Sequence, residues 1–336
     1  MAEPTREQWQ ALYAVAAEFR QLAPWHWMTD EDLFGVEEPA MGEVGYCSVM
    51  GAGGQEFGLA VFVGAEGFAA YRKLALGEVD PESMDAAIVL RSLVVTFGAR
   101  DELSQRDREV IRSLGLRFRG RDVWPWFRSE RPGYVPWYLE PEEAHFLELA
   151  LRQAIYVTQQ VREGAVQLTS GADGQPVLTR CFRRGIWLNE WRQPPVWEER
   201  SEEPEEVDAL RVQRLRKSKP QGRDSWQLDF FFLQAAVGDR NERPYFPCML
   251  LVVTQQGLIV GAQLLKPWAS ATEKQEAVLA LLEQGLHLPR QILVAQEDVK
   301  RVVGGVARGL GISIRIGDLV VLEAIKEEMG EQLGWV

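Results

Sequence analysis

The chain is poor in the side chains that build metal and redox centres. Among its 336 residues there are three cysteines and three histidines. Cys47, Cys181 and Cys248 lie far apart, which predicts reduced, buried thiols rather than disulfides or a zinc site. The histidines form no HExxH pair, and the chain has no GxSxG elbow and no Walker loop. We therefore predict neither a metal nor a cofactor.

The chain also lacks long apolar runs and an excess of positive charge. It has no stretch of about 18 apolar residues that could cross a bilayer, and its amino terminus shows no basic-then-apolar leader. The net charge of −12 repels phosphate backbones. This disfavours a nucleic-acid partner, although a local basic groove would still accept one. We expect an acidic protein of the cytoplasm that does not bind membranes.

The length predicts about two domains of about 150 residues each. Hydrophobic residues make up 46% of the chain and charged residues 26%, as in ordinary globular proteins. We place an N-terminal α/β domain at 1–165, a β-rich connector at 166–225 and a C-terminal α/β domain at 226–336. The connector carries an acidic block (198–208) and a basic block (211–223). These blocks indicate either mutual neutralisation or a solvated, mobile linker, with a functional basic tail as the alternative.

Apolar periodicity predicts an α/β fold with a mixed sheet in each domain. The order is β-β-α-β-α-β-α in the first domain and β-β-β-α-β-α-β-α in the second. Ser104 and Pro141 mark two helix starts, and a short strand is predicted at 116–118. Residues 108–120 and 303–317 share a helix–glycine–strand pattern. We interpret the domains as two similarly built units, through duplication or chance.

Three strands followed by alternating helices and strands resemble the ribonuclease H-like fold. In such a nuclease, carboxylates converge on two metal ions, and Asp229, Glu297 and Asp298 are the candidates here. Thr254 and Gln296 stand where further acids would be best placed, and neither carries the charge that a hard cation requires. The resemblance thus implies a fold without its full acid set. A divergent metal-dependent nuclease is an alternative function.

The densest combination of charge and aromatic rings lies at 117–138, here called the Arg–aromatic segment. It contains five arginines, seven aromatic residues and three prolines. Such side chains can bind an anion and stack a base or a peptide, or they can pin an ordered loop to the protein's own core. The candidate ligand-binding residues are Arg119, Arg121, Trp124, Trp126, Arg128, Arg131, Tyr134 and Trp137.

Four sequence motifs stand out along the chain. FRGR and WPWFRSERPGYVPW lie within 118–137, LDFFFLQ occupies 228–234, and RPYFPCMLLVV occupies 243–253. Together they resemble a bacterial family whose members carry two consecutive domains of unknown function. The resemblance implies a fold and a bacterial origin. It implies no activity, so it assigns no catalytic residues.

These observations favour a non-catalytic binding or scaffolding protein that makes contact through the Arg–aromatic segment. Its partner would be a protein or a small anionic ligand. A nuclease requires Asp229 to lie within metal-bridging distance of Glu297 or Asp298. An anion or nucleotide binder requires a pocket with arginine and tryptophan walls. Whether the chain is an enzyme stays open at this point, with a binding role favoured.

Overall fold

The computed structural model describes residues 2–197, 202–238 and 242–333. The chain divides into two compact units after residue 198, and Arg243 belongs to the first unit. Each unit has its own sheet with helices packed against it. The predicted α/β class with two domains and mixed sheets is therefore confirmed.

The first unit begins with a helix and ends with a β-hairpin. Its elements are α1 (Arg6–Leu22), β1 (Phe34–Glu37), β2 (Val44–Met50), β3 (Phe57–Val63), α2 (Gly64–Ala75), α3 (Met84–Val89), β4 (Ser92–Gly98), α4 (Gln105–Ser113), β5 (Trp124–Glu130), α5 (Pro141–Arg162), β6 (Val177–Arg183) and β7 (Ile186–Arg192). The sheet order is β5-β4-β3-β2-β1-β6-β7. β1 and β6 are parallel, and the other neighbouring strands are antiparallel.

The main core of the first unit lies between this sheet and the helices α1 and α5. Leu12 and Phe19 of α1 and Leu147 of α5 are fully buried in one apolar cluster with the inner side chains of the strands. Burying a side chain of this size contributes roughly 1.5–3 kcal/mol. Phe68 of α2 belongs to a second cluster that also includes strand residues. The sheet is thereby fixed between helices.

Two helix starts in the first unit are set locally, as the sequence predicts. The Ser104 hydroxyl accepts a hydrogen bond from the N–H of Asp107, and the Asp107 carboxylate accepts one from the Ser104 N–H at 3.0 Å. This reciprocal cap satisfies two backbone N–H donors at the start of α4. Pro141 is the first residue of α5, where its fixed φ suits the helix and its missing N–H is not needed.

The second unit begins with a short helix and ends with a longer one. Its elements are α6 (Ala209–Ser218), β8 (Ser225–Phe232), β9 (Cys248–Thr254), β10 (Ile259–Leu265), α7 (Ala271–Gln284), β11 (Gln291–Val294), α8 (Glu297–Leu310), β12 (Ser313–Ile316) and α9 (Val320–Leu333). The sheet order is β10-β9-β8-β11-β12. β8, β9 and β10 are antiparallel to one another in turn, and β11 is parallel to both β8 and β12.

Both faces of the second sheet are covered. Trp226 and Leu228 of β8 lie in a cluster with α7 and α8, whereas Leu251 and Val253 of β9 lie in a cluster with Leu322 of α9. Successive side chains of a strand point to opposite faces, so Gln227 and Asp229 of β8 are placed on the α9 face, where both contact α9.

The two sheets differ in strand number, order and direction. The expected similarity of the two units therefore does not extend to their topology, because a short helix–glycine–strand pattern carries no information about strand order. Residues 166–225, expected to form a connector, contribute to both units: β6 pairs with β1, and α6 packs against α8. The sequence of a hairpin does not specify which sheet it joins.

The strand expected at 116–118 is not formed by those residues in the described structure. The strand lies further along, as β5, inside the Arg–aromatic segment that composition indicates to be a loop. β5 is at the edge of the sheet, where Pro125 is tolerated because the outer side of an edge strand needs no ladder hydrogen bond. Alternate side chains of β5 are buried. Its proline and arginine hide this alternation in the sequence.

The basic block is mostly helical. Residues Ala209–Ser218 form α6, so most of the basic block is a helix rather than a mobile linker. Residues 198–201 of the acidic block lie outside the described residues. Within the described ranges, the helices are too short or too polar to cross a membrane.

Candidate functional site

The Arg–aromatic segment forms an ordered edge of the first unit. β5 pairs with β4, and the chain then returns along β5. The N–H of Ser129 donates to the Trp137 carbonyl at 2.8 Å, and the N–H of Trp137 donates to the Ser129 carbonyl at 2.9 Å. The segment is therefore an edge strand with a tight return rather than a free loop.

Both tryptophans of β5 pack onto their own unit. Trp124 lies with its ring centre 5.5 Å from that of Phe118 and donates through Nε1 to the Gly120 carbonyl at 3.2 Å. The Arg100 guanidinium lies 5.9 Å from the same ring. Trp126 is half-buried against the core. These contacts occupy part of the ring surface on which a base or a peptide would have to stack.

Arg128 is held by a buried carboxylate. Its terminal nitrogens donate to both oxygens of Asp107 at 2.9 and 2.7 Å, and its guanidinium lies 4.9 Å from the Tyr138 ring centre. Burial by itself raises the pKa of Asp107, but hydrogen bonds from Arg128 and Ser104 outweigh it, so this pKa lies below its ordinary value. Arg128 therefore joins α4 to β5.

Arg131 bridges two acids at the start of α5. It donates to Glu140 at 2.7 Å and to Glu143 at 2.8 Å. The Ser129 hydroxyl donates to the same Glu143 oxygen at 2.7 Å. The charge of Arg131, like that of Arg128, is neutralised within the unit.

Arg243 is a site residue that sequence reasoning missed. It is 7% exposed, donates to the hydroxyl and carbonyl of Ser129 and to the Val135 carbonyl, and lies 5.5 Å from the Tyr134 ring centre. Burial lowers the pKa of Arg243 to about 10. Arg243 is the first residue of the RPYFPC motif, and this motif is the sequence signal that could have drawn attention to it. No local pattern predicts that Arg243 lies beside Tyr134.

Three predicted site residues remain. Trp137 packs against Tyr138 with ring centres 5.2 Å apart, and its Nε1 is buried without a hydrogen-bond partner among the described residues. Arg119 and Arg121 are exposed, and neither forms an ion pair within the described ranges. These two arginines are the members of the predicted set that stay accessible to an anion.

A pocket of about 800 Å³ opens beside the end of β5. The Arg–aromatic segment contributes Ser129, Glu130, Arg131 and Pro132 to its wall. The rest comes from α1, the turn after β1, the end of β3, the starts of α2 and β4, and the first turns of α5. We call it the acidic pocket because its lining includes the glutamates Glu38, Glu43, Glu66, Glu130, Glu140, Glu142 and Glu143.

Two arginines neutralise the acidic pocket only in part. Arg91 donates to Glu43 at 3.2 Å and to Glu66 at 3.0 Å, and Arg131 has the same arrangement at the start of α5. Each guanidinium carries one positive charge and faces two carboxylates. Glu142 is exposed and has no ion pair within the described chain. The pocket therefore keeps a negative potential, which favours a cationic ligand.

Two family models match the chain. Residues 9–180, just over half of it, match the domain of unknown function DUF7309, and residues 211–330 match the domain of unknown function DUF6930. The chain belongs to the DUF7309 family. The two consecutive domains of unknown function that the motifs implied are thus confirmed. A search of curated proteins gives no match.

The DUF7309 match runs from α1 into β6. It contains the whole Arg–aromatic segment and every glutamate of the acidic pocket. The three nuclease candidates of the second unit lie within the DUF6930 match. The acidic pocket is therefore a feature of the DUF7309 unit.

Glu130 is an acid of the DUF7309 pocket whose pKa is raised. Ser92 lies directly opposite on β4 and donates its hydroxyl to the Glu130 carboxylate. Burial raises the pKa of Glu130, against the hydrogen bond from Ser92 and the charge of Arg243, which lower it. Glu130 therefore keeps its proton to a higher pH than an ordinary glutamate does.

Replacing Glu130 with glutamine is expected to raise the unfolding temperature near neutral pH. A raised folded-state pKa stabilises the fold below the unfolded pKa of about 4.3, and this contribution is lost as pH rises through the folded pKa. Glutamine stays neutral, so the gain over wild type should grow with pH and vanish below about pH 4. Thermal unfolding across a pH series measures it. The control is Glu142→Gln, at an exposed position of the same pocket. If the unfolding temperatures of the two variants depended on pH in the same way, the raised pKa of Glu130 would be refuted.

In the DUF6930 unit, each nuclease candidate contacts a cation. Asp229 is 7% exposed and accepts a hydrogen bond from Lys326 of α9 at 2.6 Å. Glu297 and Asp298 are exposed at the start of α8 and pair with basic residues one turn later, at 3.1 Å each. Within the part of the chain that the structure describes, no three acid, histidine or cysteine side chains group to hold a metal ion. Lys326 is the neighbour that sequence reasoning missed.

Proposed function

We propose that this DUF7309 protein is a non-catalytic binding or scaffolding protein, and that the acidic pocket holds a basic side chain of a partner protein. The observation that carries the proposal is the pocket itself, a cavity of about 800 Å³ whose lining has seven glutamates and two arginines. A partner's lysine or arginine would supply the positive charge that the pocket lacks, and charge complementarity of this kind favours specific association.

An arginine suits the acidic pocket better than a lysine does. A guanidinium can bind two carboxylates through its planar fork, and Arg91 already has this arrangement with Glu43 and Glu66. The lining also contains Val63 and Phe146, against which the apolar stem of an entering side chain can pack. Carboxylates for the head and apolar surface for the stem are what a long basic side chain requires.

A small anionic ligand or nucleotide has less support. Arg128 and Arg131 already bind acids, so such a ligand would depend on Arg119 and Arg121, which lie on the exposed surface. Two of the tryptophans that would stack it, Trp124 and Trp126, are packed against the unit's own core. The Arg–aromatic segment thus serves the proposed function as a rigid wall of the acidic pocket.

For the DUF6930 unit we propose the ribonuclease H-like fold without nuclease activity. Support for the fold comes from the strand order β10-β9-β8-β11-β12, with three antiparallel strands followed by two parallel ones. The contact of Lys326 with Asp229 argues against a metal at that carboxylate, as do the uncharged Thr254 and Gln296.

We place the protein in the bacterial cytoplasm. The bacterial origin rests on the motif resemblance. The compartment is supported by Cys47, Cys181 and Cys248, which are all buried, free thiols, because cysteines stay reduced in the cytosol.

Binding of a tri-arginine peptide to the full chain tests the acidic pocket. Isothermal titration calorimetry is expected to show saturable binding. The variant Glu66→Gln/Glu142→Gln should bind at least about tenfold more weakly, which corresponds to a loss of about 1.4 kcal/mol, because it removes two pocket charges that the cation would contact.

The matched control is Glu18→Gln/Glu78→Gln, which removes the same charge at exposed positions outside the pocket. This variant should bind like wild type. Equal weakening in the two double variants would mean that the peptide responds to net charge alone, and the proposal would fall. Absence of saturable binding to wild type would also overturn it.

A further inference from the structure

A second cavity, of about 670 Å³, lies in the DUF6930 unit between α6 and α8. Its lining includes Arg216 of α6, Arg301 and Arg308 of α8, and the chain at 203–207. Gln275 of α7 also lines it and is 2% exposed. The cavity thus brings three guanidinium groups and a buried amide to one site. It shares no lining residue with the acidic pocket of the first unit.

The arginines of this cavity are paired unequally. Arg301 lies 3.7 Å from Glu203 and 3.1 Å from Asp298. Arg216 and Arg308 form no ion pair within the described ranges of the chain, whereas Arg211 of the same helix as Arg216 binds an acid of α7. Guanidinium groups that lack an ion pair favour an anionic ligand, since their hydrogen bonds to carboxylate or phosphate are charge-assisted.

Glycines lie on the same helix face as two of these arginines. Arg301, Gly305, Arg308 and Gly309 follow a spacing of i, i+4, i+7 and i+8, which places them on one face of α8. A Cβ on Gly305 would lie 3.0 Å from the side chain of Val207. The chain at Val207 therefore already approaches α8 closely, and Gly305 leaves room for it to do so.

Residues 202–207, here called the acidic strap, run along this cavity. Two hydrogen bonds, of 3.2 and 3.0 Å, hold the strap to the start of α7. Glu203 reaches Arg301, whereas Glu205 and Glu206 line the cavity without an ion pair to a described residue. The strap is an extended acidic segment that borders an arginine-lined groove, and within the described residues it forms an ion pair with one of the three arginines, Arg301.

We propose that the groove between α6 and α8 binds an extended acidic peptide of a partner protein, and that the acidic strap competes with this peptide in cis. A tethered segment acts at an effective concentration on the order of millimolar. The strap therefore weakens the binding of any free acidic peptide until the strap is displaced.

The spacing of the charges supports a peptide. Arg301 and Arg308 are seven residues apart on α8, which is roughly 10 Å along the helix. An extended chain advances about 3.3 Å per residue, so acids three positions apart match the two arginines. Glu203 and Glu206 of the acidic strap have this spacing.

A nucleic acid fits the groove less well. A strand longer than the groove would meet the rest of a chain whose net charge is −12, and the repulsion would oppose the gain from a few arginine contacts. A short peptide can confine its negative charge to the groove.

The chain's own strap sequence supplies the probe. A fluorescent synthetic peptide of residues 202–208, EEPEEVD, is titrated with the full chain, and anisotropy is recorded. The variant Glu203→Gln/Glu205→Gln/Glu206→Gln should bind it at least tenfold more tightly than wild type. In that background, Arg216→Ala and Arg308→Ala should each weaken binding at least tenfold.

Two matched controls separate the groove from general charge. Glu18→Gln/Glu31→Gln/Glu78→Gln removes three exposed acids from the first unit and should leave peptide binding as in wild type. Arg214→Ala, on α6 but outside the cavity lining, should leave the strap variant unchanged. Circular dichroism checks that each variant is folded.

Three outcomes would overturn the proposal. The first is failure of the strap variant to bind the peptide. The second is an equal gain in the first-unit triple variant, which would assign the effect to net charge. The third is tighter binding of a single-stranded oligonucleotide of similar length than of the peptide, which would assign the groove to nucleic acid.

Discussion

Arg128→Met is expected to destabilise the DUF7309 unit by about 3 kcal/mol. Methionine keeps an unbranched stem but removes the cation that binds both oxygens of Asp107. Asp107 is 6% exposed, and a buried charge left without its partner costs about 3–5 kcal/mol. Because Arg128 is itself partly exposed, we place the loss at the lower end of that range. Urea unfolding of the full chain, with the two units fitted separately, measures it.

The matched control for Arg128→Met is Arg121→Met. Arg121 belongs to the same segment but is exposed and has no ion pair in the described structure, so its replacement should change stability by less than about 0.5 kcal/mol. Adding Asp107→Asn to Arg128→Met should restore part of the loss, because the uncompensated charge is removed. Similar effects of the two single variants would return Arg128 to the set of free, ligand-binding arginines.

The stability that the ion pair between Arg128 and Asp107 contributes should depend on pH. A carboxyl whose folded-state pKa is lowered, as that of Asp107 is, contributes stability above its unfolded pKa of about 3.9 and loses it as pH falls through the folded pKa. The stability difference between wild type and Arg128→Met should therefore shrink when pH falls below about 4. A difference that stays constant in acid would show that the carboxylate does not carry the effect.

Lys326→Met is expected to destabilise the DUF6930 unit by about 3 kcal/mol. The side chains of Lys326 and Asp229 are 18% and 10% exposed, so methionine would leave Asp229 buried without a cation. The lysine ammonium also lies 4.6 Å from the Phe231 ring centre, and this cation–π contact would be lost as well. Urea unfolding again gives the difference.

The control for Lys326→Met is Lys300→Met. Lys300 pairs with Glu297, whose side chain is 68% exposed, and exposed ion pairs contribute about 0–1 kcal/mol. Adding Asp229→Asn to Lys326→Met should recover stability. A thermal shift with Mn²⁺ in Lys326→Met that Asp229→Asn abolishes would instead support a metal site, and the nuclease alternative would gain ground. Equal effects of the two lysine variants would contradict a buried pair.

Arginine-rich composition does not show which arginines are paired with acids of their own unit. Within the Arg–aromatic segment, Arg128 and Arg131 bind acids of their own unit, whereas Arg119 and Arg121 stay exposed. The four look alike in the sequence. What separates them is their position: Arg128 lies on β5 and Arg131 directly follows it, where acids of α4 and of the start of α5 are within reach, whereas Arg119 and Arg121 precede the strand.

The sequence by itself determined the two-domain organisation, the α/β class and several element boundaries. Helix starts such as Ser104 and Pro141 were readable because capping involves residues within one turn of each other. The strands of the second unit were readable because apolar periodicity is also a local property. For the candidate site, the segment that walls the acidic pocket was identified, and so was the RPYFPC motif.

Only the tertiary structure decided which distant side chains meet. Arg243 reaches Ser129 across 114 positions of the chain, and the glutamates of the acidic pocket come from the turn after β1, from α2, from β5 and from the start of α5. Strand order decides these meetings, and it depends on how sheets and helices pack rather than on local propensity. The sequence therefore predicted the elements, while packing decided that the acids gather in one pocket and that Lys326 lies at Asp229.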